Sequence, residues 1–124
     1  MEAALKVLGE KQGRKIAVLG DMLELGDRAA AEHYRIGRIA AERVDFVLAY
    51  GGCADRVIGG CITGGMPDSR AQAFKDQQAL SCELQRIARP GDVILFKGSH
   101  SMHMERVLDA FMKYEKDLNG GDPV

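Results

Sequence analysis

Short apolar runs that end at glycines alternate with amphipathic stretches along the chain, and this alternation is the strongest constraint on its fold. The runs Lys15–Leu19, Asp45–Tyr50 and Asp92–Phe96 are short, and a glycine follows each within two residues. A weaker run covers Arg70–Phe74. Runs that are apolar on both faces are typical of buried parallel strands. We therefore predict four strands in a mostly parallel sheet.

Helical spacing of the apolar residues predicts five helices between and around these runs. Their predicted ranges are 2–10, 28–43 with Asp27 as N-cap, 54–62, 77–88 with Asp76 as N-cap, and 102–117. Repeated strand–helix units favour a Rossmann-like three-layer α/β domain with helices on both faces of the sheet. Two stripes should face inward: His33, Ile36, Gly37 and Ala40 in the second helix, and Met104, Val107, Leu108 and Phe111 in the last.

Composition excludes several classes of protein. The chain has 124 residues, enough for one domain, and its formal net charge of −1 gives no electrostatic reason to bind nucleic acid. No apolar run approaches the roughly 20 residues that span a bilayer. The three cysteines contain no C-x-x-C pair, which favours reduced thiols in a cytoplasmic protein without a zinc site.

Ligand-binding groups in such a fold belong on the loops that follow the strands, here Asp21, Gly51–Gly52, Lys75 and Lys97–Ser101. The last loop is the best candidate. Lysine offers a positive charge to an anion, Gly98 permits a sharp turn, and the serines offer hydroxyls beside a helix start. The alternative is that Ser99 or Ser101 only caps the last helix and that Lys97 is solvated.

The other polar candidates have competing interpretations. Asp21 could receive an ammonium group or a metal-bound water, or it could cap its own turn. His100 and His103 could form a metal-binding pair at i, i+3, but no carboxylate or thiolate partner is identifiable from the sequence, so we expect exposed, weakly basic groups near a ligand turn. His33 should be a hydrogen-bonded packing residue. Cys53 lacks a nearby general base and should be a small buried residue.

Nucleotide-binding motifs are missing. There is no G-x-x-x-x-G-K-[ST] sequence, and the turn after the first strand reads GDMLELG, not G-x-G-x-x-G. The sequence therefore contains no phosphate-binding loop for ATP and gives little support to a dinucleotide site.

Two segments carry a resemblance to a known family. KIAVLGDMLELGD (15–27), followed by His33 and Ile36–Gly37, and LFKGSHSMHMERV (95–107) resemble the C-terminal domain of the Mur ligases, in particular those that add D-alanyl-D-alanine. The resemblance covers nearly the whole chain. It implies an ATP-dependent ligase of peptidoglycan synthesis, in which ATP converts the carboxylate of UDP-MurNAc-tripeptide into an acyl phosphate that the dipeptide's amino group attacks.

The resemblance also implies roles for individual positions. In that family the Rossmann-like C-terminal domain closes over a central ATPase domain and helps to hold the incoming amino substrate. Lys97, Gly98, Ser99 and Ser101 match the turn that faces the reacting groups, and Asp21 and Met22 match the turn opposite. Similar members often have arginine where this chain has His100 and His103, so those positions lack a permanent positive charge here.

Several family features are missing from this sequence. They are the phosphate-binding loop, the central-domain lysine, the magnesium ligands and the D-D-S-Y-N-A-N-P-type segment. We therefore expect residues 1–118 to be the ligase's C-terminal domain, truncated at its N-terminal edge, and residues 119–124 to be a flexible tail. ATP and Mg²⁺ would bind mainly to the absent N-terminal and central domains. The chain alone would contain no complete catalytic site, and a lost first strand would leave an exposed sheet edge that favours self-association.

Two alternatives remain at this point. The chain could be a stand-alone Rossmann-like module that binds an anionic small molecule or a peptide carboxylate. It could also be an independent oxidoreductase domain, although the missing dinucleotide fingerprint argues against this.

Overall fold

The sheet contains four parallel strands, which confirms the predicted α/β class. A computed structural model describes residues 1–118, and its strand order is β3-β2-β1-β4. The strands are β1 (Lys15–Gly20), β2 (Phe46–Tyr50), β3 (Ala71–Phe74) and β4 (Val93–Lys97). Leu19 of β1 lies beside Ala49 on one side and Lys97 on the other, so the carboxyl ends of these strands meet at one edge. The predicted tail, 119–124, lies outside the described residues.

Within residues 1–118, five helices surround the sheet, as predicted. They are α1 (Glu2–Gly9), α2 (Ala29–Arg43), α3 (Ala54–Thr63), α4 (Gln77–Ile87) and α5 (Met104–Leu118). Short 3₁₀ turns cover Gly26–Arg28, Asp68–Arg70 and His100–Met102. The last of these delays the start of α5, which was predicted at Met102. None of the helices within residues 1–118 combines the length and apolar character needed to cross a membrane.

One of the two predicted helix caps is confirmed. The Asp76 carboxylate accepts a hydrogen bond of 2.7 Å from the Ala79 N–H at the start of α4. The prediction for Asp27 was wrong, because this residue lies inside a 3₁₀ turn. There the backbone carbonyls of Leu25 and Gly26, and not the Asp27 side chain, accept the N–H groups of Arg28 and Ala29.

Alternating side chains of the sheet build two cores. Ala17 and Leu19 face a core shared with α1, α2 and α3, whereas Ile16 and Val18 face a second core shared with α4 and α5. This alternation follows from the two-residue period of a strand. The result is the predicted three-layer architecture, with three helices on one face and two on the other.

Helices α2 and α3 are in backbone contact through two glycines. A Cβ atom built on Gly37 would overlap the carbonyl oxygen of Val57, and one on Gly60 would overlap that of Tyr34. Any larger residue would force the helices apart, which costs about 1–3 kcal/mol or more in a packed core. Gly37 and Gly60 therefore allow α2 and α3 to pack with their backbones in contact.

The outer strand β4 explains one incorrect packing prediction. Met104, Val107 and Phe111 of α5 are buried, but Leu108 is 37% exposed. Leu108 lies near Phe96 of β4, and no other strand within residues 1–118 continues the sheet beyond it. The side chains of β4 before Lys97 are accordingly half-buried, in contrast to those of β1.

Candidate functional site

The turns after β1, β2 and β4 come together around Asp21. Its side chain is 8% exposed, and its carboxylate accepts the N–H of Gly52 at 2.9 Å and that of Cys53 at 3.0 Å. Its backbone carbonyl accepts the N–H of Ser99 at 2.9 Å. We refer to Asp21, Gly52, Cys53 and Ser99 as the Asp21 junction. The junction fixes three strand-end turns relative to one another.

Gly51 is required beside this junction. Its φ angle is +118°, a conformation that glycine adopts without strain. A Cβ atom at this position would also lie 2.6 Å from the Asp21 carboxylate. The glycine that ends the second apolar run therefore lets the turn after β2 approach Asp21.

Ser99 is fixed at both its amide and its hydroxyl. The amide donates to Asp21, and Oγ accepts the Leu23 N–H at 2.7 Å. Its side chain does not cap the 3₁₀ turn that follows. A hydroxyl has one proton to donate in addition to its acceptor sites, so Ser99 retains an O–H donor.

His33, in α2, holds the turn after β1 through a hydrogen bond. It is 1% exposed, which confirms the predicted packing role. Nε2 accepts the Met22 N–H at 2.9 Å, and Nδ1 lies 2.6 Å from the Ala29 carbonyl oxygen. These partners require the neutral tautomer with its proton on Nδ1.

Two pockets open at the carboxyl edge, and they divide the predicted site residues. A pocket of about 500 Å³ lies over the ends of β2 and β3, with Asp21, Asp55 and Lys75 among its lining residues. A pocket of about 260 Å³ beside β4 is lined by Lys97, Gly98 and Ser99 among others. The remaining predicted residues are the half-buried Met22 and the exposed Ser101, which line neither described pocket.

The charges at this edge suit a ligand that carries both signs. Lys75 and Lys97 are exposed, and neither forms an ion pair with a carboxylate in the described part of the chain. Asp55 lines the larger pocket and was missed as a site candidate. Its position in the first turn of the helix that follows Gly51–Gly52 was the available sequence signal.

Cys53 is not arranged as a nucleophile. Burial, and then the nearby Asp21 carboxylate, raise the pKa of its thiol despite the opposing effect of Arg56. The thiolate needed for attack is therefore disfavoured at neutral pH. Cys53 is half-buried and not fully buried as predicted, because it lies at the N-cap position just before α3.

The described residues do not fit a resident magnesium ion or nucleotide. Atoms of Asp21, His33 and Cys53 that could bind a metal lie within 4.8 Å of one another. However, both His33 nitrogens are used in hydrogen bonds, the pKa of the Cys53 thiol is raised, and Mg²⁺ prefers oxygen ligands, so only Asp21 of the three suits it. The sequence also lacks a phosphate-binding loop.

Of the two histidines after β4, His100 directly follows Ser99 of the junction and lines the smaller pocket. His100 is exposed, as predicted, whereas His103 is half-buried with a left-handed φ of +53°. Nδ1 of His103 lies 3.1 Å from the Glu105 carboxylate.

Comparison with known proteins supplies the family. The model of the Mur ligase, glutamate ligase domain matches residues 1–100. UDP-N-acetylmuramoyl-tripeptide–D-alanyl-D-alanine ligase of Bacillus subtilis is 33% identical over 87% of this chain and 24% of that protein. The ligase of the same name from Escherichia coli is 34% identical over 91% of this chain and 24% of that protein. The chain thus spans about a quarter of these relatives.

Solved structures agree. A structure of MurF from Acinetobacter baumannii superposes with a TM-score of 0.80 at 33% identity, covering 91% of this chain and 25% of that one. The MurF ligase from Thermotoga maritima, solved in complex with ADP, gives a TM-score of 0.73 at 28% identity, covering 89% of this chain and 24% of that one. The chain therefore belongs to the Mur ligase family and has the fold of its C-terminal domain.

Proposed function

We propose that this chain is the C-terminal domain of a cytoplasmic, ATP-dependent ligase that joins D-alanyl-D-alanine to UDP-MurNAc-tripeptide. Its own task is to bind the incoming dipeptide and to complete the active site on domain closure. The names of the similar ligases support the reaction. The carboxyl edge of the sheet supports the task, because its exposed lysines lack carboxylate partners among residues 1–118.

The arrangement around Ser99 is the observation that carries this proposal. Lys97, Gly98 and Ser99 line one pocket, and the Ser99 oxygen is fixed while its proton is available. A lysine and an oriented hydroxyl suit the dipeptide's carboxylate or the negative charge of the tetrahedral intermediate. Ser101 lies in the 3₁₀ turn immediately after this group and offers a second hydroxyl.

The opposite turn would serve the amino end of the dipeptide. Asp21 accepts two backbone N–H groups, but an ionised carboxylate has about four acceptor sites. It can therefore also accept an ammonium group from the larger pocket that it lines. Met22, beside it, packs against the core shared with α1, α2 and α3 and so helps to hold this turn in place. An amine held in this way would be oriented for attack on an acyl phosphate.

Formation of the acyl phosphate is assigned to other domains. The proposal places ATP and Mg²⁺ mainly in N-terminal and central domains of the same polypeptide, since the residues of this chain do not fit them. The chain alone should then neither hydrolyse ATP nor form an amide bond. This is the behaviour expected of a site that is assembled by domain closure.

A chimeric enzyme tests the proposal. This chain replaces the matching quarter of the Bacillus subtilis ligase, and the KM for D-alanyl-D-alanine is measured with and without Lys97→Ala and Ser99→Ala together. Loss of charge-assisted hydrogen bonds predicts a rise in KM of about 10-fold or more. The matched control, Lys113→Ala on the exposed side of α5, should leave KM unchanged. Unchanged KM in the double variant, or a folded chimera that cannot ligate, contradicts the proposal.

A second candidate is a stand-alone module that binds an anionic small molecule or a peptide carboxylate. Both pockets lie within this one domain, which favours it. Titration calorimetry of the chain with D-alanyl-D-alanine distinguishes the two. Micromolar affinity without any partner domain supports the module, whereas no measurable heat favours the domain that needs closure.

A further inference from the structure

We propose that His33 is a positioning residue for the dipeptide site and acts through the backbone of Met22–Leu23 to orient the Ser99 hydroxyl. The inference rests on the proposed function, since it concerns the hydroxyl that would bind the dipeptide. His33 itself is buried in α2 and touches neither described pocket.

The hydrogen bonds of His33 fix its role. Its two ring nitrogens have different partners, the Ala29 carbonyl in the preceding turn of α2 and the Met22 N–H in the loop after β1. The first contact orients the ring on its helix. The second attaches the loop to that helix. The imidazole is thus a fixed support for the loop and not a space-filling residue alone.

The next amide in the loop transmits this support to the site. Leu23 follows Met22 directly, and its N–H donates to Ser99 Oγ at 2.7 Å. Because successive peptide units share a Cα atom, fixing the Met22 amide restricts the direction of the Leu23 amide. That direction determines which acceptor site of Ser99 is occupied, and therefore where its remaining proton points.

Packing holds this loop only at Met22, which lies against the core shared with α1, α2 and α3. The Leu23 side chain is 45% exposed, and Glu24 after it has a left-handed φ of +64°. The loop therefore depends on its hydrogen bonds to α2 and to the turn after β4. By contrast, α2 is anchored through the contact of Gly37 with α3. The rigid helix supports the less constrained loop through His33.

Two amide substitutions separate support of the loop from packing in the helix. In His33→Gln the side-chain oxygen can reach the position of Nε2 and accept the Met22 N–H. In His33→Asn the shorter amide reaches only the position of Nδ1, so it retains the contact to Ala29 and loses the loop. Both are neutral, and each loses one hydrogen bond, so they form a matched pair.

The chimeric ligase gives the functional measurement. We expect His33→Gln to keep the KM for D-alanyl-D-alanine within about threefold of the unaltered enzyme, and His33→Asn to raise it about 10-fold. Adding Ser99→Ala to His33→Asn should raise KM no further than Ser99→Ala alone, because the two act through one hydroxyl. Equal KM values for the Gln and Asn variants overturn the proposal.

Two further measurements distinguish failure of the proposed function from failure of the role proposed for His33. If Ser99→Ala leaves KM unchanged, the proposed function of this turn fails, and the support of the loop is then judged by amide exchange at Leu23 in the two His33 variants. In the unaltered chain, NMR should detect coupling between the Met22 nitrogen and His33 Nε2 across their hydrogen bond. Absence of that coupling overturns the positioning role even if the variants do not fold.

Discussion

Charged side chains have different kinds of partner at the two edges of the sheet. At the amino edge, Arg14 forms a two-pronged ion pair with Asp92, with distances of 3.0 Å from Nε and 2.7 Å from Nη2. Its guanidinium carbon also lies 4.9 Å from the centre of the Phe46 ring. At the carboxyl edge, Asp21 is held by backbone N–H groups, while Lys75 and Lys97 have no carboxylate partner in the described chain.

This difference indicates which edge is available to a ligand. At the amino edge, the charges of Arg14 and Asp92 neutralise each other, and this pair serves the fold. A carboxylate satisfied by backbone amides leaves the nearby cations unneutralised, and these can bind an anion. Ligands of parallel α/β sheets bind at the carboxyl ends of the strands, which agrees with this division.

The largest expected effect is on the Asp21 junction. Asp21→Ala removes the acceptor of two backbone N–H groups, so we expect the free energy of unfolding to fall by about 3 kcal/mol. Urea denaturation measures this. Asp109→Ala, at an exposed position of α5, is the control and should change stability by less than about 0.5 kcal/mol. Equal effects would mean that the junction does not hold the turns.

Asp92→Asn tests the ion pair at the amino edge. Burial raises the pKa of Asp92, but the Arg14 guanidinium and the Arg89 N–H outweigh it and hold the pKa below its usual range. We expect a loss of about 2 kcal/mol at pH 7. A lowered pKa stabilises the fold above the unfolded value of about 3.9, so the loss should shrink as the pH falls below about 4. A difference that stays constant down to pH 2 would contradict this.

The rates at which the three cysteines react test whether Cys53, at the carboxyl edge, differs from Cys61 and Cys82 elsewhere. Burial raises the pKa of Cys61 to about 12, and Cys82 is exposed. Iodoacetamide at pH 8 should therefore label Cys82 first, Cys53 more slowly, and Cys61 only on unfolding. Asp21→Asn removes a negative charge near Cys53 and should speed its labelling a few-fold. Cys82 in the same sample is the internal control, and a parallel change at both sites argues against a local effect.

The smallest expected effect on stability is at the proposed ligand-binding lysine. Lys97→Ala should change the free energy of unfolding by less than about 0.5 kcal/mol, because its side chain is exposed and has no carboxylate partner among residues 1–118. Thermal unfolding of the two proteins, side by side, checks this. A loss similar to that of Asp92→Asn would mean that Lys97 belongs to the fold, and the contrast between the edges would disappear.

The strands and helices were predictable because their periodicity is local. The first apolar run and the helix capped by Asp76 follow from neighbouring residues alone, and both are confirmed. The prediction that Asp27 caps α2 failed because backbone carbonyls, and not its side chain, accept the N–H groups there. Leu108 failed because its burial depends on which strand lies at the edge of the sheet, a property of strand order.

The site was less predictable because its contacts join residues that are far apart in the sequence. The turn at Lys97 could be singled out as a candidate from its residue types. The hydrogen bonds from Asp21 to Gly52 and Cys53 join residues 31 and 32 positions apart, and no periodicity encodes them. The interpretation of Asp21 as a turn-capping residue or a ligand-binding residue depended on those partners. The assignment of substrate contacts to Lys97, Ser99 and Ser101 remains a prediction.

The close contact of α2 with α3 has a consequence for how such a domain can change its substrate. Helix α2 carries His33, which supports the turn after β1, and α3 begins directly after Cys53 in the turn after β2. The contacts at Gly37 and Gly60 between these helices therefore link the two turns into one unit. A mutation that moves one turn must move the other, and this makes most adjustments costly. In the turn after β4, Ser99 is tied to that unit by its hydrogen bonds to Asp21 and Leu23, but the exposed positions His100 and Ser101 lie outside it. New specificities should therefore arise there, by substitutions that the rest of the domain tolerates.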